Sequence, residues 1–134
     1  MKKSILVSGG TKGIGRAIIE RFAKEGFDIF TCSRNEGDLA ALRASLASRY
    51  PSCSVHTFVA DLSKKEEVVA FATGVKAIGI PDVIVHNTGL FLPGSLHAEP
   101  DGNLEFLIQT NLYSAYYLTR AFAAALMERK SGHI

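Results

Sequence analysis

Ser8-Gly9-Gly10-Thr11-Lys12-Gly13-Ile14-Gly15 is the stretch from which the rest of the chain can be read. It follows the apolar run Ile5-Leu6-Val7 and leads into Ile14, Ala17, Ile18 and Phe22, which recur at helical spacing. A glycine turn between a strand and the first turn of a helix brings backbone N–H groups and the positive helix end toward a pyrophosphate. The missing β-carbons let ligand and strand approach closely. Ser8, Gly9, Thr11, Lys12, Gly13, Ile14 and Gly15 are therefore candidate cofactor-binding residues. A glycine-rich string alone is weak ground; its place in a strand-turn-helix unit gives it force.

Outward from that turn, the same unit repeats. Phe27 to Cys32, Val55 to Val59 and Val83 to Val85 read as three more short strands. Gly26 stops the first helix after Glu25, and Leu39, Leu42 and Leu46 stripe a second that ends near Tyr50-Pro51. Ser63-Lys64-Lys65-Glu66 matches a capping box opening a third, with Val68, Val69 and Ala72 on its apolar face. Strict alternation of strand and helix implies parallel pairing, because parallel strands need crossover connections. The expected fold is α/β, a Rossmann-type doubly wound parallel sheet showing its first four strands, their crossover helices and one long helix after strand four. No linker, repeat or compositional break divides residues 1–134, so a single domain is expected.

The long helix spans Asp101 to about Lys130. Leu104, Leu107, Ile108, Asn111, Ala115, Leu118, Thr119, Phe122 and Leu126 fall on one face, which predicts that Asn111 points into an apolar surface. A buried amide without partners costs about 1–3 kcal/mol, so partners are expected there.

Composition excludes other classes. The 134 residues are 47% hydrophobic and 21% charged, with no apolar run long enough to cross a bilayer. Fifteen basic and thirteen acidic residues are interspersed, for a net charge of +2, which gives no basic surface for nucleic acid. Met1-Lys2-Lys3 is followed by too short an apolar stretch for a signal peptide, so a cytoplasmic setting is expected. Cys32 and Cys53 lack CxxC or metal-ligand spacing and read as reduced, structural thiols; no metal site is expected.

The end of strand two selects the nucleotide. A carboxylate there would accept a bond from a free ribose 2′-hydroxyl, whereas a cation suits a 2′-phosphate. The segment reads Cys32-Ser33-Arg34-Asn35. Arg34 can fork onto a phosphate, Ser33 can donate a hydrogen bond, and Lys12 adds a second positive charge nearby. NADP(H) is the expected cofactor.

The spacing Gly9-x-x-x-Gly13-x-Gly15 departs from GxGxxG and resembles the TGxxxGxG motif of the short-chain dehydrogenase/reductase family, with Ser8 in place of threonine. Asp61-Leu62 after strand three matches the family's adenine-contacting aspartate. His86-Asn87-Thr88-Gly89 after strand four is similar to its NNAG, and Asn111 in Thr110-Asn111-Leu112 matches its helix asparagine. The resemblance spans the chain. It implies Asp61, Leu62, Asn87, Thr88 and Gly89 as cofactor-binding residues and Asn111 as the catalytic-site asparagine whose backbone holds a water leading to a catalytic lysine. It implies hydride transfer to or from a small carbonyl or alcohol substrate, and self-association through the long helix.

Each motif has a plainer reading. Asp61 can interact with the helix start beyond it, Asn87-Thr88-Gly89 can be a turn, Asn111 a core amide and Arg34 a solvated charge. His86 replaces the family's asparagine and is assigned no chemistry. The resemblance further implies a serine on a fifth strand and a Tyr-x-x-x-Lys on the next helix. Tyr116 to Arg120 mimics that spacing but lies on the helix of Asn111, so it reads as a decoy, and Tyr113 and Tyr117 read as packing or an oligomer face. His133-Ile134 looks like the first step of a fifth strand, so the natural chain is expected to continue. The competing readings are a non-catalytic nucleotide-binding module and, less favoured for lack of an acid at strand two, a methyltransferase-like domain.

Overall fold

The computed structural model describes residues 2–134. Strands β1 (Ser4–Ser8), β2 (Asp28–Ser33), β3 (Val55–Val59) and β4 (Val83–Val85) form one parallel sheet in the order β3-β2-β1-β4. Helix α1 (Gly13–Lys24) joins β1 to β2, α2 (Glu36–Arg49) joins β2 to β3, and α3 (Lys65–Ile78) joins β3 to β4. The chain moves outward from β1 through β2 to β3, then returns to place β4 on the other side of β1. That reversal opens a crevice at the carboxyl ends of β1 and β4, where ligands of open α/β sheets bind.

Side-chain alternation divides the core between the two faces. Ile5, Val7 and Ile29 meet Ile19 and Ala23 of α1 and Leu42 and Leu46 of α2. Leu6, Phe30 and Ile84 point the other way, onto Val68, Phe71, Ala72 and Val75 of α3 and onto a later helix through Leu118, Phe122 and Leu126. Because helices cover both faces, the inner strands carry apolar runs at their centres, Ile5-Leu6-Val7 in β1 and Ile29-Phe30 in β2.

Gly26, at φ +85°, follows α1, and Tyr50 caps α2 just before Pro51, as the sequence predicts. The predicted capping box does not form. Lys64 occupies the N-cap without a side-chain bond, and the Ser63 hydroxyl donates to Asp61 Oδ1 at 2.7 Å. The helix starts one residue later than the pattern requires, which leaves Ser63 just outside the cap position with its hydroxyl turned to Asp61. Glu67, rather than Glu66, reaches back to accept from the Asp61 N–H. The buried stripe of α3 is Val68, Phe71, Ala72 and Val75; Val69 is exposed.

The single long helix is also corrected. It is α4 (Asn103–Ile108), a π turn (Gln109–Tyr113) and α5 (Ser114–Arg129) in succession. Hydrogen bonds one residue longer than in an α-helix widen the π turn and rotate the faces on either side of it. The buried line becomes Thr110, Ser114, Leu118, Phe122 and Leu126, while Leu104 and Asn111 are exposed. At the far end, His133 makes a parallel bridge to Val83: its N–H donates to Asp82 O at 3.0 Å and its carbonyl accepts from Ile84 N at 2.9 Å.

Candidate functional site

The glycine turn is held from below by β2. Thr31, fully buried, donates from its hydroxyl to Val7 O at 2.7 Å and accepts from Gly10 N at 3.1 Å. Gly10 is needed for that approach, since a β-carbon there would lie 2.1 Å from Ile19 Cδ1 and 2.3 Å from Thr31 Oγ1. Neither residue stood out in the sequence, because a threonine in a strand reads simply as a β-former.

A second set of bonds joins the turn to the end of β4. Ser8 Oγ accepts from the N–H groups of Asn87 and Thr88, each at 3.0 Å, and Asn87 Nδ2 donates to the carbonyls of Ser8 and Gly9, also at 3.0 Å. Ser8 is thus a buried strut beneath the crevice. Gly15 lets Asn87 in; a β-carbon there would meet Asn87 Nδ2 at 2.4 Å.

Above these struts lies a cleft of about 400 Å³. Gly9, Lys12, Ser33, Arg34, Asp61, Leu62, Asn87, Thr88 and Gly89, drawn from the ends of all four strands, wall it together. An adjoining cavity of about 530 Å³ continues over Thr11, Lys12, Ser33, Arg34, Asn35 and Asp38. Gly13, Ile14 and Gly15 open α1 outside the cleft lining, and Ile14 stands 75% exposed. Leu90, Phe106 and Thr110 also wall the cleft and were not legible in the sequence: they arrive from the loop after β4, from α4 and from the π turn.

The helix starts differ in charge. Helix α1 has no side-chain cap and no acidic residue in its first turn, so its N–H groups and partial positive charge face the crevice uncompensated. Helix α2 is capped by Asn35, whose Oδ1 accepts from Asp38 N at 2.9 Å, and carries Glu36 and Asp38 in its first turn. An anion is favoured at the first and not at the second. Arg34 is exposed and joins no ion pair with a described residue. Lys12, read from the sequence as a second positive charge nearby, is paired, its Nζ 3.2 Å from Asp38 Oδ2. A flexible, exposed ammonium pairs with a nearby carboxylate when no ligand intervenes.

Partial burial pushes the Asp61 carboxyl up, but the bonds from the Ser63 hydroxyl and N–H outweigh it and hold the group below the usual aspartate value. Burial lowers His86 from the ordinary imidazole value, and its Nε2 shares a 2.7 Å hydrogen bond with Thr119 Oγ1. Burial also pushes the Cys32 thiol up to about 12, so it is no nucleophile at neutral pH. Among the described residues no three His, Cys, Asp or Glu side chains are grouped to hold a metal ion.

Asn111 departs from its expected setting. Its exposed amide grips one residue twice: Oδ1 accepts from Leu90 N at 2.6 Å and Nδ2 donates to Leu90 O at 2.8 Å. The side chain fixes the loop after β4, and the residue itself lies inside the π turn.

Residues 3–134 match the family model for short chain dehydrogenases. The chain belongs to that family. Estradiol 17-beta-dehydrogenase 11 from Pongo abelii is 32% identical over 131 residues, covering 97% of this chain and 43% of that protein. The NADPH-dependent pterin aldehyde reductase of Arabidopsis thaliana is 31% identical over 134 residues, covering 98% of this chain and 54% of its own. A metagenomic short-chain oxidoreductase solved in complex with NADP superposes with a TM-score of 0.91 at 33% identity, over 98% of this chain and 59% of that one. The chain spans about half the length of the curated relatives it matches.

The short-chain dehydrogenase fold implies a dinucleotide, and the residues present fit one. The uncapped α1 end suits a pyrophosphate, and the space above Gly13 is open, with nothing within 4 Å of where a β-carbon would stand. Thr110 Oγ1 is the buried side-chain polar atom without a partner among the described residues, and Thr110 lines the cleft. An orphaned hydroxyl of this kind costs about 1–3 kcal/mol. Thr110→Val is accordingly expected to raise the melting temperature of the ligand-free protein by a few degrees, read by calorimetry. A lower melting temperature would mean that the hydroxyl is already satisfied.

Proposed function

We propose that the chain is the cofactor-binding half of an NADP(H)-dependent oxidoreductase that moves a hydride between the nicotinamide and a small carbonyl or alcohol substrate. The observation that carries this reading is the end of β2, where Ser33 and an unpaired Arg34 wall the cleft and no carboxylate stands at the strand end. Among the family's relatives, NADP or NADPH is named in several solved complexes and in one reductase, which supports the same choice.

Each residue then has a physical task. The N–H groups of Gly13, Ile14 and Gly15 at the α1 start, with Gly9, Thr11 and Lys12, hold the pyrophosphate and its flank. Arg34 and Ser33 take the 2′-phosphate. Asp61 and Leu62 border the adenine, and Asn87, Thr88 and Gly89 form the wall over the switch point. Once bound, the cofactor supplies the hydride chemistry. Asn111 acts as a positioning residue: by fixing Leu90 through its side chain it frees its backbone to hold a water on the route to a lysine. A cytoplasmic setting and self-association through residues 101–130 belong to the same reading, the latter supported by exposed Leu104, Leu112 and Tyr116.

The test is fluorescence titration of the full-length protein with NADPH and NADH, followed by carbonyl-dependent loss of NADPH absorbance over a panel of aldehydes and ketones. NADPH is expected to bind more tightly and to be consumed with at least one carbonyl class. Tight binding with no turnover in either direction would favour a nucleotide-binding module instead, and absence of binding would sink both.

A further inference from the structure

The second cavity carries a charge that the cofactor reading leaves without a task. Its walls hold two cations, Lys12 and Arg34, and one anion, Asp38. Asp38 is not a random surface acid. Its N–H is fixed by the Asn35 cap at 2.9 Å, so it sits in the first turn of α2 with its carboxylate directed across the cavity to Lys12 Nζ at 3.2 Å. Asp38 lies 35% exposed, whereas Lys12 is 80% exposed: the carboxylate is the anchored partner and the ammonium the mobile one.

We propose that Asp38 is a specificity-determining residue that holds Lys12 as a counter-ion and tempers the site's preference for a ribose 2′-phosphate. The inference rests on the NADP(H) reading and deepens it. A phosphate monoester is close to doubly charged at neutral pH. Entering this cavity, it attracts Arg34 and Lys12 but is repelled by Asp38, and it gains Lys12 only by drawing the ammonium off the carboxylate. A free 2′-hydroxyl carries no charge and is indifferent to the exchange. Asp38 therefore acts on the difference between the two nucleotides rather than on binding of the dinucleotide as a whole. Because the pair is partly exposed, its own contribution to folding is small, and its removal leaves the Asn35 cap in place.

Asp38→Asn keeps the shape and removes the charge. In the full-length protein it is expected to tighten NADPH binding by about three- to tenfold and to change NADH binding by less than about twofold, the scale of one screened charge near a dianion. The gain is expected to shrink as ionic strength rises toward about 1 M, where the screening length falls to about 3 Å. It is also expected to fall by half or more when Lys12→Met is already present, since no ammonium remains to release. Asp38→Glu, which keeps the charge, is expected to stay within about twofold of the native protein for both nucleotides.

Fluorescence titration of the native protein, Asp38→Asn, Asp38→Glu, Lys12→Met and the Lys12→Met/Asp38→Asn double variant with both nucleotides decides the matter. If the native protein binds NADPH no more tightly than NADH, the 2′-phosphate assignment itself fails and this inference falls with it. If the native protein prefers NADPH but Asp38→Asn changes neither nucleotide, or both equally, the inference alone is overturned. A gain confined to NADPH and lost at high salt sustains it.

Discussion

Replacing Arg34 with aspartate is expected to weaken NADPH binding by about a hundredfold or more while changing NADH binding only a few-fold. Two effects of the same sign add. Loss of the guanidinium removes a charge-assisted, fork-shaped contact to phosphate worth about 1.5–3 kcal/mol. The new carboxylate then faces a dianion across the same cavity, beside Asp38, which adds repulsion at short range. At about 1.4 kcal/mol per factor of ten, the sum reaches two orders of magnitude. NADH lacks the phosphate, and a carboxylate at this place can accept from its 2′-hydroxyl, so its affinity is held or improved. Arg34 is exposed and unpaired with any described residue, so the substitution costs little in folding. Titration of both nucleotides reads the result directly; equal losses would remove Arg34 from the 2′-phosphate site.

This prediction rests on a residue that the sequence alone singled out, and the reason is local. The end of a strand after a glycine-turn βα unit is a fixed address in this architecture, so its residue types can be read without coordinates. The strands were legible for the same reason. Val55–Val59 and Val83–Val85 coincide with their predicted ranges, and β2 begins one residue later than expected, at Asp28. Phe27 is drawn out of the strand to meet Phe22 edge to face at 4.9 Å.

What stayed hidden depends on contacts between distant segments or on one extra backbone residue. A π turn has no composition of its own, so the stripe through Leu104 and Asn111 looked continuous although the register shifts between them. The buried amide expected at Asn111 is instead an exposed clamp on Leu90, and burial passes to Thr110. Lys12 and Asp38 are well separated in sequence, and only the fold brings them together as a pair. The Ser63 capping box satisfied its pattern, but Lys64 is the N-cap, so Ser63 stands one residue outside the helix start. In each case a local rule was correct in form and was overruled by a shift of backbone register or by a partner from a distant segment.

Gly13→Val offers the second large effect, and its interest lies in separating two roles that glycines play in one turn. Gly13 has φ +56°, a conformation that a β-branched residue adopts at a cost of about 1–3 kcal/mol. No protein atom lies within 4 Å of its missing β-carbon, so the folded chain has room for the side chain and loses a few degrees of melting temperature through backbone strain alone. The nucleotide has no such room if the pyrophosphate sits above the α1 start. Overlap there adds a further 1–3 kcal/mol or so and displaces the ligand from the N–H groups, so affinity for NADPH and NADH alike is expected to fall by about a hundredfold. Gly13→Asn is the informative companion, because asparagine tolerates positive φ: it is expected to spare stability and still block binding. Gly15→Ala is expected to behave oppositely, with stability falling first, since its β-carbon would strike Asn87 Nδ2 and the Gly9 carbonyl rather than open space. Unchanged affinity in Gly13→Val and Gly13→Asn would take the space above the turn away from the ligand and leave the uncapped α1 end without the anion proposed for it.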